Sequence, residues 1–362
     1  MIDTHTVILI AISAAFVAIL IAVVVFMGYL RKILSIASFM SPNTTIFAIG
    51  AKYTEREDLF RLLEMTSVTE VLNEVKKEGY NIEDLSKADV CIEKDMIRMM
   101  NEVIGMMPEG VRQFAEAYML KYDANIVKRI LRAKYMKVPE HRIYDIVYEG
   151  KTITKLIINH MIEASGMEDS ISALDATPFK SAIKVWGESN DLYDVEMEID
   201  RVVIEKLKDA KMHLEENSRE PVEKLLSILI DIQNIKNVVR AKSAEMNEID
   251  KFLIEGGYEL SGWKLKSLAE ARSIEEVLGQ LEGTSYSFLR DLRDPFEIEL
   301  SLDRYMLKVA NDIGLTYSVS SGPIVMFLVE KEYEARNLKV IIKGFVEDLP
   351  KDKIKSLLVG DF

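Results

Sequence analysis

Three times along this 362-residue chain an acidic residue is followed nine positions later by a base, with an aliphatic pair between them. The copies are Asp123-Ala-Asn-Ile-Val-Lys-Arg-Ile-Leu-Arg-Ala-Lys134, Asp231-Ile-Gln-Asn-Ile-Lys-Asn-Val-Val-Arg-Ala-Lys242 and Glu334-Ala-Arg-Asn-Leu-Lys-Val-Ile-Ile-Lys343, and their pairs are Ile130-Leu131, Val238-Val239 and Ile341-Ile342. Two electrostatic roles are open to these charges. Acids at a helix start and bases at its end complement the macrodipole, by a few tenths up to about 1 kcal/mol each. Alternatively, the equivalent bases Arg132, Arg240 and Lys343 form a ring around one mouth of a three-fold body and dock a partner there.

Bond-making chemistry has no comparable signal. There is no Walker-type phosphate loop, no Gly-x-Gly-x-x-Gly, no Gly-x-Ser-x-Gly and no His-Glu-x-x-His. The four histidines are scattered, so no metal-ligand spacing arises. With 59 Asp and Glu available, any pair could be nominated as acid and base, and such a nomination carries no information. Met99, Met100, Met106 and Met107 read as adaptable core filler, with a partner groove as the alternative. A single Cys91 excludes an internal disulfide and suits a reducing compartment. The net charge of −13 argues against nucleic-acid binding. The expectation is a non-enzymatic chain without a cofactor.

The elements that must carry the repeated charges are helices. Apolar residues recur three and four apart, as in Leu59, Leu62, Leu63 and Leu225, Leu226, Ile228, Leu229, and strand-like alternation never runs far. The copies lie 108 and 103 residues apart, which is domain scale rather than solenoid scale. Two other markers keep the same order: Ser67 to Leu72 with Tyr80, Gly166 to Ile171 with Phe179, and Ser273 to Leu278 with Tyr286; and Tyr193 to Arg201 with Phe296 to Arg304. Each unit closes on a glycine, at Gly150, Gly256 and about Gly360. Asn234 and Asn337 share a register, but Asn125 falls one residue early, which turns it by about 100° on a helix. The three Asn are therefore not given one role.

From Thr6 to Leu30 there is no charge. At about 1.5 Å per residue this run can cross a ~30 Å hydrocarbon core. A signal peptide would carry positive charge before the apolar run, whereas here Asp3 precedes it and Arg31-Lys32 follow. A buried core helix is the other alternative. The positive-inside tendency puts Arg31-Lys32 and the whole body on the cytoplasmic face, with the amino terminus outside. The expected division is a transmembrane helix at 1–32, a short linker at 33–45 around Ser41-Pro42-Asn43, and helical repeat domains at 46–150, 151–256 and 257–362.

The triplicated residues, above all Glu334-Ala-Arg-Asn-Leu-Lys with Gly322-Pro323 before it, resemble the C subunit of archaeal A-type ATP synthases, a family that includes the vacuolar ATPase d subunit. The resemblance runs from about residue 45 to the end. It implies an all-α fold of three homologous helical domains in a pseudo-three-fold funnel. It also implies a non-catalytic central-stalk subunit that couples the proteolipid rotor ring to the central axle subunits. The amino-terminal run departs from that pattern; a helix tethered in lipid beside a turning ring would obstruct it, so residues 6–30 are expected to plug the ring's lumen and turn with it. A membrane-anchored adaptor unrelated to a rotor is the competing reading.

Overall fold

The structure, a computed structural model, describes residues 4–246 and 248–360; at 4–7, 9–11 and 217 it describes the helical backbone alone. Asp3, on which part of the argument against a signal peptide rests, lies outside the described residues. Among those residues there are sixteen α-helices and no strand, so the chain is all-α. After α1 (Thr4–Ile49), the first repeat contributes α2 (Arg56–Glu64), α3 (Val68–Lys77), α4 (Ala88–Ile104), α5 (Glu109–Tyr135) and α6 (Glu140–Asp145). The second contributes α7 (Lys155–Glu163), α8 (Met167–Ser172), α9 (Ser181–Ser189), α10 (Leu192–Lys211) and α11 (Glu216–Ser243). The third contributes α12 (Trp263–Glu270), α13 (Ile274–Gln280), α14 (Pro295–Thr316), α15 (Gly322–Val346) and α16 (Lys351–Ser356).

Six long helices make the centre. They form three antiparallel hairpins, α4/α5, α10/α11 and α14/α15, and each hairpin also packs on the next, α5 on α10, α11 on α14 and α15 on α4, so the set closes on itself. The aliphatic pairs drive this packing, since all six side chains are buried. Each such burial is worth about 1.5–3 kcal/mol. Gly314 and Gly322 let the third hairpin close tightly, because a Cβ on Gly322 would meet the Ile313 and Tyr317 carbonyl oxygens at 2.7 Å. All three hairpin turns, near residues 105–108, 212–215 and 317–321, fall at the same end.

The Ser67 and Ser273 markers are helix starts. Each serine accepts from the backbone N–H three residues on, at Glu70 and Glu276, and the carboxylate of that glutamate accepts from the N–H of Thr66 or Arg272. This is close to a capping box, displaced outward by one residue. In the middle repeat Gly166 occupies the cap position without a side-chain bond.

The stretch 33–45, expected as a linker, is instead helix, because α1 runs unbroken to Ile49 through Pro42. Proline removes one backbone donor, and the helix continues because tertiary contacts hold it on both sides of that point. Phe39, Pro42, Asn43 and Ile46 form a buried face spaced by three and four. Asn43 Nδ2 donates to the carbonyls of Ser318 (3.3 Å) and Ser320 (3.2 Å) at the tip of the α14/α15 hairpin. Before Phe39 the helix leaves the body: every described side chain from Ile12 to Tyr29 is exposed, and the apolar stretch is long enough to cross a membrane.

Candidate functional site

The repeated acids are not at helix starts. Asp123, Asp231 and Glu334 lie midway along α5, α11 and α15 and are buried, so the macrodipole reading does not hold for them. Each carboxylate instead holds the chain that begins another repeat. Asp123 accepts from the N–H groups of Lys151 (3.0 Å) and Thr152 (2.6 Å). Asp231 accepts from those of Glu259 (2.7 Å) and Leu260 (3.1 Å). Glu334 accepts from Tyr53 N–H (3.2 Å), at the start of the first repeat. The third clamp therefore closes the circuit between two segments 281 residues apart.

Hydroxyls complete these clamps. Tyr286 donates to Asp231 (3.0 Å) and Tyr80 to Glu334 (2.6 Å), whereas the equivalent Phe179 has no hydroxyl and Thr152 Oγ1 donates to Asp123 instead (2.5 Å). The glycines follow the length of the acid. A Cβ on Gly150 or Gly257 would overlap Asp123 or Asp231 Oδ1, so the short Asp needs the loop pressed against it. The longer Glu334 reaches its loop with Ala51 in place. Of the two adjacent glycines closing the second repeat, Gly257 rather than Gly256 makes this approach.

Asn234 and Asn337 carry the shared role their register suggested. Each pairs both ways with a backbone amide, Asn234 with Ile254 (2.8 and 2.8 Å) and Asn337 with Val359 (2.7 and 2.8 Å). The matching position in the first repeat is Ile126, and Asn125 faces the central cavity instead.

A second ring escaped sequence reading. The lysine five residues after each acid bridges to the next hairpin: Lys128 to Asp200 (2.5 Å), Lys236 to Asp303 (2.6 Å) and Lys339 to Glu93. The signal was present, since Lys recurs at the same offset in all three copies. Burial pushes the Glu93 carboxyl up, but Arg129 and Lys339 outweigh it and hold it below its ordinary value. Asp303 is treated the same way by Lys236 and Arg336. Asp231, whose partners are neutral donors, is raised by its burial.

Arg132, Arg240 and Lys343 lie in the last turns of α5, α11 and α15, at the end opposite the hairpin turns. Arg132 makes a forked pair with Glu196 (2.5 and 2.5 Å) and Arg240 with Glu299 (2.6 and 2.7 Å), each across to the next hairpin. Lys343 pairs instead with Glu347, just past the end of its own helix (3.8 Å), and is 71% exposed. Beyond them the three helices end alike, with Lys137, Glu245 and Asp348 at φ of 57°, 54° and 52°, all fourteen residues after the acid. A left-handed non-glycine costs roughly 1 kcal/mol. Glu245→Gly is therefore expected to raise stability by about 0.5–1 kcal/mol, because it also removes a carboxylate from a helix carboxyl end. Chemical denaturation of the two proteins side by side checks this.

Between the six helices lies a cavity of about 360 Å³, lined by Tyr118, Lys121 and Asn125 from the first hairpin, Gln233 from the second and Glu332 from the third, among others. Lys121, Leu229 and Glu332, two before each acid, and Asn125 and Gln233, two after the first two, line it, about 160–200° round the helix from the clamp. The clamps are thus on the outside of the ring and the cavity is at its centre. No group of three or more His, Cys, Asp or Glu that could hold a metal ion occurs among the described residues.

These features agree with comparisons to known proteins. Residues 42–357 match the family model described as ATP synthase (C/AC39) subunit. The C subunit of the A-type ATP synthase of Methanocaldococcus jannaschii is 26% identical over 354 residues, covering 91% of this chain and 88% of that protein. Its counterpart in Methanobrevibacter smithii is 25% identical, covering 91% and 90%, and the one in Pyrococcus horikoshii is 28% identical, covering 78% and 76%. The matched segment begins at the docked end of α1 and takes in every clamp residue of all three repeats, and the chain belongs to the ATP synthase (C/AC39) subunit family.

Proposed function

We propose that this protein is a non-catalytic central-stalk subunit of an A-type ATP synthase, a socket that couples the membrane proteolipid ring to the central axle. The observation that carries the reading is the closed circuit of clamps. A part that passes torque must resist twisting between its own thirds, and contacts that return from the third repeat to the first through Glu334 and Lys339 provide that resistance. Family membership supports the assembly, and α1 supports a place at the membrane. In this reading the body lies on the cytoplasmic face, with the ring at one end and the axle at the other.

The two ends can then be assigned. The apolar part of α1 leaves from the end of the hairpin turns, so that end faces the membrane. Each tip there offers an exposed apolar side chain to the ring, at Met106, Met212 and Val319. The opposite rim, with Arg132, Arg240 and Lys343, faces the axle. Purification from native membranes tests the assembly: the proteolipid and axle subunits are expected to co-elute, and their absence would leave a membrane-anchored adaptor.

Reversing Arg132, Arg240 and Lys343 together to glutamate is expected to weaken axle binding by at least about tenfold at low salt, with the difference shrinking as salt rises. Adding Glu196→Arg and Glu299→Arg restores the internal pairs. A loss that survives this restoration belongs to docking, and one that disappears belongs to the hairpin contacts.

A further inference from the structure

We propose that α1 is an off-axis key: a rigid rod that engages the inner wall of the proteolipid ring and prevents the body from slipping as torque passes. The inference rests on the central-stalk reading and concerns how that socket grips its partner.

The placement of α1 comes from the faces of α15. Val329, Glu332 and Tyr333 line the central cavity, whereas Glu334, which takes the Tyr53 N–H just after α1, lies about 200° round the helix from Glu332. The docked end of α1 packs on α15 and α4, and so it occupies the outer groove between them. With interhelical distances of about 8–10 Å, that groove is roughly 15 Å from the centre of the six-helix ring. A centred plug would be free to spin. A rod displaced by that distance and seated in a groove between neighbouring ring helices transmits torque by pressing sideways on them.

The joint is built to be stiff. α1 is one continuous helix from the apolar run into the body, with Phe39, Pro42 and Ile46 buried and Asn43 tied to two carbonyls of a hairpin tip. Lys32, at the edge of the apolar run, lies seven residues before the buried Phe39, so roughly 10 Å of bare helix separates membrane and body. Ile33, Leu34 and Ile36 on that stretch are exposed. Continuity with the ring-facing tips selects the occupant: transmembrane helices of the ring that face its lumen, rather than outer lipid, where a tether would be swept against stationary parts.

The test uses the full chain in the native complex, with a photoreactive residue placed at Leu20 in one sample and at Val319 in another. Crosslinks to the proteolipid from both positions are expected. A crosslink from Val319 with only lipid adducts from Leu20 would overturn the key while leaving the central-stalk reading intact. Failure at both positions would overturn that reading itself and the key with it. A second variant inserts three glycines after Ile36, leaving the span and the docked segment unchanged. Ion pumping per ATP hydrolysed is expected to fall at least fivefold while hydrolysis persists, and an unchanged ratio would overturn the key.

Discussion

Replacing Glu334 with alanine is expected to destabilise the protein by about 3–5 kcal/mol, more than any single change at the other two clamps. Glu334 is 1% exposed and lies against Lys331, itself 2% exposed, at 2.6 Å. Removing the carboxylate leaves an uncompensated ammonium in the interior, along with the Tyr80 hydroxyl and the Tyr53 N–H without their acceptor. Topology adds to the loss. Asp123 and Asp231 hold loops reached through 28 residues of chain, whereas Glu334 closes the seam between the third repeat and the first. Thermal unfolding in detergent by circular dichroism measures the effect. The double variant Lys331→Met with Glu334→Leu is expected to recover most of it, because an apolar pair leaves no charge behind. If Glu334→Ala melts within a degree of the parent, the seam is held by packing and not by this clamp.

The same residues explain what the sequence could and could not say. Periodicity and the triplicated motif are local patterns, so helix content, repeat count and the register of Asn234 with Asn337 were legible. The functions of the acids were not, because spacing along a helix does not say which neighbour packs on that face. Asp123 reads as an acid at a helix start until Thr152 is seen against it in the middle of α5. The lysine ring was overlooked for a related reason: a charged residue at constant offset reads as a solvated face unless its cross-hairpin partner is known. Pro42 misled in the other direction. A proline next to serine and asparagine suggests a turn, but the packing of Phe39 and Ile46 on either side outweighs the single lost donor.

Glu330→Gln is expected to stabilise the protein at pH 8 by about 1–3 kcal/mol and to change little at pH 5. Burial, with Glu334 and Glu55 adding to it and Lys331 opposing, raises the Glu330 carboxyl from 4.5 to about 7. Its folded value is above its unfolded one, so its favourable contribution is complete below pH 4.5 and is lost as pH rises through about 7. Glutamine keeps the uncharged shape at every pH and removes that loss. Glu93 and Asp303 act in the opposite sense. Their folded values are lowered, so their contribution is present above the ordinary 4.5 and 3.8 and disappears as pH falls through the folded values. The parent is thus most stable in the mildly acidic range between these limits, and the variant keeps the acid limb while losing Glu330's share of the alkaline one. Melting temperatures at pH 5 and pH 8 separate the cases. A variant that gains nothing at pH 8 would mean that Glu330 ionises there without cost, with water reaching it between α15 and the start of the first repeat.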